Sequence, residues 1–251
     1  MQIVAYYLIL VLFMNVIEAM VGFGSISIGV PILSLFWGAE VSIALFTVTS
    51  LLMLAIMLVT GWKKIDGREL LIILACIVPI MPIGYLLFGR LRDVEWALRL
   101  IIGILVTFVS GREILRRLLK KEDKPMPKPA MYLSLGIGAV LQGMFSMGAP
   151  LINIYALSRL KDKGSFRATM VAVWIVTNTI TTFYRIFVLH VYTTELATKI
   201  AYALPLVVLA FLIGNWLHHR IPNEKFSGFV YAIQLSAGLI SIAGGISQLV
   251  A

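Results

Sequence analysis

Apolar residues run through this chain in long blocks rather than in the two-residue alternation of half-buried strands. Residues 41–61, 70–89, 129–158, 200–219 and 226–251 contain no Asp, Glu, Lys or Arg. A helix crosses the hydrocarbon of a bilayer with ~20 apolar residues, and the pattern predicts spans at 41–61, 70–89, 96–116, 167–189, 197–217 and 226–250. Two other apolar stretches are interrupted. VGFGSISIGVP at 21–31 and SMGAPLINIYA at 146–156 place glycines, small hydroxyl residues and a proline where they weaken helices. Pro31 and Pro150 mark expected helix breaks.

Composition makes lipid the solvent. Of 251 residues, 60% are hydrophobic and 13% charged, with a mean hydropathy of +0.97, more apolar surface than a soluble domain of this size can bury. An outer-membrane barrel would show short alternating strands, and none are visible. The N-terminus lacks the basic region of a secretory signal and reads as part of the mature protein. One cysteine, Cys76, excludes an internal disulfide and a two-thiol zinc or redox site.

The net charge of +9 does not point to nucleic acid, because the cations sit in short loops between spans. The heaviest loop, REILRRLLKKEDKPMPK at 112–128, is placed in the cytoplasm of a multi-pass protein of the cell (inner or plasma) membrane. If 129–158 crosses once, 11 loop cations fall inside and nine outside; if it dips in and returns as a hairpin, the division is 16 to four. The positive-inside rule favours the hairpin. Broken backbone at membrane depth is tolerated where protein packs around it or it lines a cavity.

A shift of 124 residues lays Glu18, Gly22 and Gly24 over Gln142, Ser146 and Gly148, and Ala44 over Ala168; six further residues bring Gly84 and Arg90 onto Gly214 and Arg220. Each half then reads as a glycine-broken re-entrant hairpin followed by three transmembrane helices, an odd number of crossings, so the halves are inverted. The expected architecture is an all-α polytopic membrane protein with a first repeat at 1–124, a basic, proline-rich cytoplasmic linker at 125–131 and a second repeat at 132–251. Inverted repeats with interrupted segments characterise secondary transporters, whose site lies near the midplane.

GFGSISIGVPIL at 22–33, QGMFSMGAPLINIYAL at 142–157 and FRAT at 166–169 resemble the two motif regions of the TauE/SafE-type sulfite/sulfonate exporters, which are 4-toluene sulfonate uptake permease-like membrane carriers. The likeness extends over the chain in length and repeat layout. It implies a gradient-driven carrier, not an enzyme, for a small sulfur oxyanion or organosulfonate such as sulfite, thiosulfate or sulfoacetate. Where many relatives carry a denser glycine run, this chain has Ser25-Ile26-Ser27.

Glu18 is the one acidic residue deep in an apolar stretch. An intramembrane carboxylate is costly enough to suggest function, here proton coupling; the plain alternative is a structural cap. Gln142 matches it and cannot titrate. Gly22, Gly24, Ser25, Ser146, Gly148 and Ala149 form the expected tips, where free helix-terminal N–H groups and small side chains suit an anion, although small residues also serve helix packing. Arg185 is the one cation within a span, able to pair with Glu18, attract the anion or snorkel outward. Arg167 fits a counter-charge at the substrate entrance or an ordinary positive-inside residue. Asn178 and Asn153 are further substrate candidates, whereas Thr47, Thr49, Ser50, Thr177 and Thr179 read as helix-stitching groups. His190, His218 and His219 have no metal-ligand spacing, no phosphate loop is present, and no cofactor is expected.

The leading expectation is therefore an exporter of a small sulfur-containing anion, working by alternating access with proton coupling. The alternative is a cation/proton exchanger using Glu18.

Overall fold

The computed structural model describes residues 2–119, 127–218, 220 and 223–250. Ten α-helices and no strands occupy the described residues: α1 (Gln2–Val21), α2 (Ser25–Gly61), α3 (Gly67–Ile77), α4 (Met81–Leu91), α5 (Glu95–Leu118), α6 (Lys128–Phe145), α7 (Ala149–Arg159), α8 (Lys163–Phe187), α9 (Thr194–His218) and α10 (Asn223–Val250). Four stretches are long and apolar enough to cross a membrane: Ser25–Lys64, Gly164–Phe187, Thr194–Leu217 and Tyr231–Val250. The pair α3 and α4, bent by 42° beside Pro79, makes a fifth if taken as one span. The stretch expected at 96–116 is helical as α5, but it carries arginines near both ends and stands outside that set. Large apolar side chains such as Phe13, Leu71, Phe108 and Leu212 point outward, as they do when the solvent is lipid.

Local signals explain where several helices start. Asp66 accepts from the backbone N–H groups of Arg68 and Glu69 at 3.0 Å, and Asp162 accepts from that of Ser165 at 2.7 Å, each satisfying donors that a helix N-terminus leaves free. The basic segment expected to be a loop from residue 112 onward is helical through Leu118. Residues 120–126, which include the first two of the expected linker, lie outside the described residues, as does His219; Lys128 to Met131 already belong to α6.

Pro31 does not break its helix. It lies inside α2, and the break falls at Gly38, whose φ of 77° and ψ of 163° are non-helical. The partly buried Glu95 side chain of α5 stabilises the restart by accepting from Ala39 N at 2.8 Å. A proline removes one hydrogen bond, which a buried helix can absorb, whereas a left-handed residue redirects the chain. Pro150 sits in the first turn of α7, where proline fits.

In the main helix pairings α1 packs along α9, α6 along α4, α2 against α8, and α5 against α10. Three of these seams close on glycine. A Cβ at Gly84 would lie 2.2 Å from Val140 O and 2.9 Å from Gly143 Cα, one at Gly214 would lie 2.5 Å from Ala19 Cβ, and one at Gly103 would lie 2.8 Å from Gly238 O. Small residues of this kind let membrane helices approach backbone to backbone.

Candidate functional site

The two interrupted stretches are true breaks, built alike. Helix α1 ends where Gly22 N donates to Glu18 O at 2.7 Å, and α6 ends where Ser146 N donates to Gln142 O at 2.9 Å. Gly22 (φ 92°) and Ser146 (φ 57°) both turn the chain with positive φ, as residues just past a helix C-terminus do. For serine that conformation is uncommon. Beyond the turns, Gly24 precedes α2 and Gly148 precedes α7.

In each break the side chain one turn back ties the turn to the next helix and to a span. The Glu18 carboxylate accepts from Ser25 Oγ and Ser50 Oγ, both at 2.7 Å. Gln142 Oε1 accepts from Gly148 N at 2.9 Å, while its Nε2 donates to Asn178 Oδ1 at 2.8 Å and Thr177 Oγ1 at 3.2 Å. The long helix α2 reaches the second break, where Thr47 Oγ1 donates to Ser146 Oγ at 3.3 Å, and the two breaks face each other. Between them lies a cavity of about 30 Å³, lined by Glu18, Gly24, Ser27, Ser50, Ser146 and Asn178 on its polar side and by Phe23, Met147, Pro150 and Trp174 among its apolar contacts. That volume holds a water or two.

A family model described as "Sulfite exporter TauE/SafE" matches residues 7–241, nearly the whole chain. The chain belongs to the TauE/SafE sulfite exporter family. No curated protein and no solved structure matches it. TauE/SafE proteins are membrane transporters, in keeping with the apolar helices described above.

Among the residues singled out in this TauE/SafE sequence, Glu18, Gly24, Ser146 and Asn178 line the cavity. Ser25 and Gln142 stand behind it, one holding Glu18 and the other holding Asn178 and Gly148. Gly22 supplies the turn and packs on Arg167, whose Cγ lies 3.4 Å from the position a Cβ would take. Asn153 is buried in α7 outside the cavity lining, and its Oδ1 has no partner among the described residues.

Neither arginine pairs with Glu18. Arg167 Nη2 donates to Ala19 O in the last turn of α1 at 2.6 Å, which favourably places a cation at a helix C-terminus. Arg185 does not snorkel: it is 1% exposed and donates from Nη2 to Met144 O at 3.0 Å, near the end of α6. Asn178 and Arg185 are seven positions apart, so they stand about 10 Å apart along α8 at 1.5 Å per residue.

Ser50, Thr47 and Thr177, expected to stitch helices, do so at the breaks themselves, where they hold Glu18, Ser146 and Gln142. The available signal was that they cluster with other hydroxyl residues in spans following the breaks. Nothing local marked Trp174, or Gln234 of α10, which donates to Ser27 Oγ at 2.7 Å. Among the described residues no three His, Cys, Asp or Glu side chains come together to hold a metal.

Proposed function

We propose that the chain exports a small sulfur-containing anion, such as sulfite, thiosulfate or an organosulfonate, by alternating access, with Glu18 carrying a coupling proton. The observation that carries this reading is the convergence of both broken stretches on one cavity that holds a carboxyl group, the tip residues Gly24, Ser146 and Ala149, and the Asn178 amide. Small side chains there let an anion approach the N–H groups in the first turns of α2 and α7. An ionised Glu18 repels that anion and a protonated one does not, so anion and proton occupy the cavity together. A steep outward anion gradient then runs the carrier as an exporter.

The same reading takes the two halves, 1–124 and 132–251, as inverted repeats whose broken stretches are re-entrant hairpins. Support comes from matched contacts: shifts of 130 and 124 residues, which lay Gly84 on Gly214 and Ala19 on Gly143, map the α4–α6 seam onto the α9–α1 seam. The restart at Gly38 also gives the first half a short helix before its long one, as α7 precedes α8. The basic loops, with the segment between the halves, face the cytoplasm. A cavity of about 30 Å³ is too small for sulfite and its shell of donors, so transport requires the tips to part on one side at a time.

The test is sulfite flux in proteoliposomes holding a pH-sensitive dye. An imposed sulfite gradient moves protons in the same direction in the wild type, whereas Glu18→Gln uncouples the two. Absence of flux for every sulfur anion tried, or a Glu18→Gln protein with unchanged proton movement, refutes the proposal.

A further inference from the structure

We infer that Arg185 forms a second anion station, separate from the cavity between the tips, which takes a small oxyanion; this rests on the proposed transport of sulfur-containing anions. Arginine carries five N–H donors and cannot lose its charge. The Arg185 guanidinium uses one of them, from Nη2 to Met144 O, and its Cζ lies 4.7 Å from the centre of the Phe88 ring. Nε and Nη1, which together carry three donors, are buried with no partner among the described residues. A helix C-terminus and an aromatic face each offer partial negative charge, but neither fills those donors nor neutralises a whole buried cation, which is costly when unpaired.

The neighbouring tyrosines are already committed. Tyr85 and Tyr184 stack with ring centres 4.3 Å apart, the Tyr85 hydroxyl bonds Thr181 Oγ1 at 3.1 Å, and Tyr192 donates to Ala44 O at 3.1 Å. Glu40 turns Oε2 to Arg92 at 3.6 Å and keeps Oε1 buried without a partner, and among the described residues it makes no ion pair or hydrogen bond with Arg185. A water molecule could accept from the free donors without supplying charge. An oxyanion does both, since its oxygens accept several N–H bonds at once. Arg185 lies two turns along α8 from the cavity residue Asn178, toward the end of α8 at Phe187.

The experiment is equilibrium binding of radiolabelled sulfite to the purified full chain, with Arg185→Lys keeping the charge and removing the planar donor set. Two sulfites per wild-type chain and one per Arg185→Lys chain, with the remaining affinity within about twofold, is the expected result. One sulfite per chain in both proteins, with flux intact, overturns the second station and leaves the transport proposal standing. Absence of binding and of flux overturns both. If Arg185→Lys does not fold, a wild-type structure determined with selenate decides: a selenium peak against Nε or Nη1 supports the station, and peaks confined to the tips refute it.

Discussion

Adding one methyl group at Gly84 separates two helices that the structure holds backbone to backbone. The new Cβ lies 2.2 Å from Val140 O, 2.9 Å from Gly143 Cα and 2.9 Å from Met144 N. All three are backbone atoms, so no rotamer relieves the clash and α4 must shift away from α6. Overpacking costs ~1–3 kcal/mol, and three backbone contacts put Gly84→Ala at the upper end. Alanine returns up to ~1 kcal/mol of helix propensity, leaving a net loss of about 2 kcal/mol. At ~2–4 °C per kcal/mol for a chain of this size, that is a fall in Tm of about 4–8 °C. Gly111→Ala is the control, because a Cβ there meets nothing within 4 Å; it should hold or raise the Tm. Gly214→Ala, facing Ala19 Cβ and Val16 O at 2.5 and 2.7 Å, should fall by a similar amount if the two seams are equivalent. Melting of the detergent-solubilised proteins checks this. A Gly84→Ala protein as stable as Gly111→Ala refutes the close seam, and a neutral Gly214→Ala removes the matched-contact support for equivalent halves.

Other residues give further expectations. Ser146→Gly relieves a left-handed serine and should raise stability by up to ~1 kcal/mol in a melt while reducing sulfite flux, because the hydroxyl that meets Thr47 is gone. Glu95→Ala removes the acceptor for Ala39 N and should cost ~0.5–2 kcal/mol, as loss of a helix cap does, again read by melting. Glu69 links α3 to α7 through Arg159 Nη2 at 2.9 Å and the Tyr155 hydroxyl at 3.1 Å. Because the Arg159 side chain is half exposed, a double-mutant cycle between Glu69→Gln and Arg159→Gln, read by melting, should give only a weak coupling.

What the sequence disclosed followed from local chemistry. Glycines at 22 and 24 and the Ser146–Gly148 turn announced the breaks, because backbone conformation is set by the residues that occupy it. Glu18 announced itself because a carboxyl has no cheap place in lipid. Pro31 misled: proline looks like a breaker in one dimension, but α2 absorbs it and bends at Gly38, held there by a carboxylate 56 residues away. Ser50 was indistinguishable from any hydroxyl that bonds its own helix until the fold set it against Glu18. Arg185 could have snorkelled or been buried, and only the packing of α4, α6 and α8 around it decides. The N-terminal stretch held no cation before Lys63 with which to count topology.

The central claim is that one cavity between the breaks opens to each side in turn. Met147 lines that cavity, and Cys76 is the single native thiol, so Met147→Cys in a Cys76→Ser chain gives one reporter in the site. Labelling with a membrane-impermeant maleimide, applied from either side of oriented proteoliposomes, is the most direct measurement. The account predicts reaction from both sides, each slowed by sulfite. Reaction from one side alone, unchanged by any sulfur anion, would contradict it.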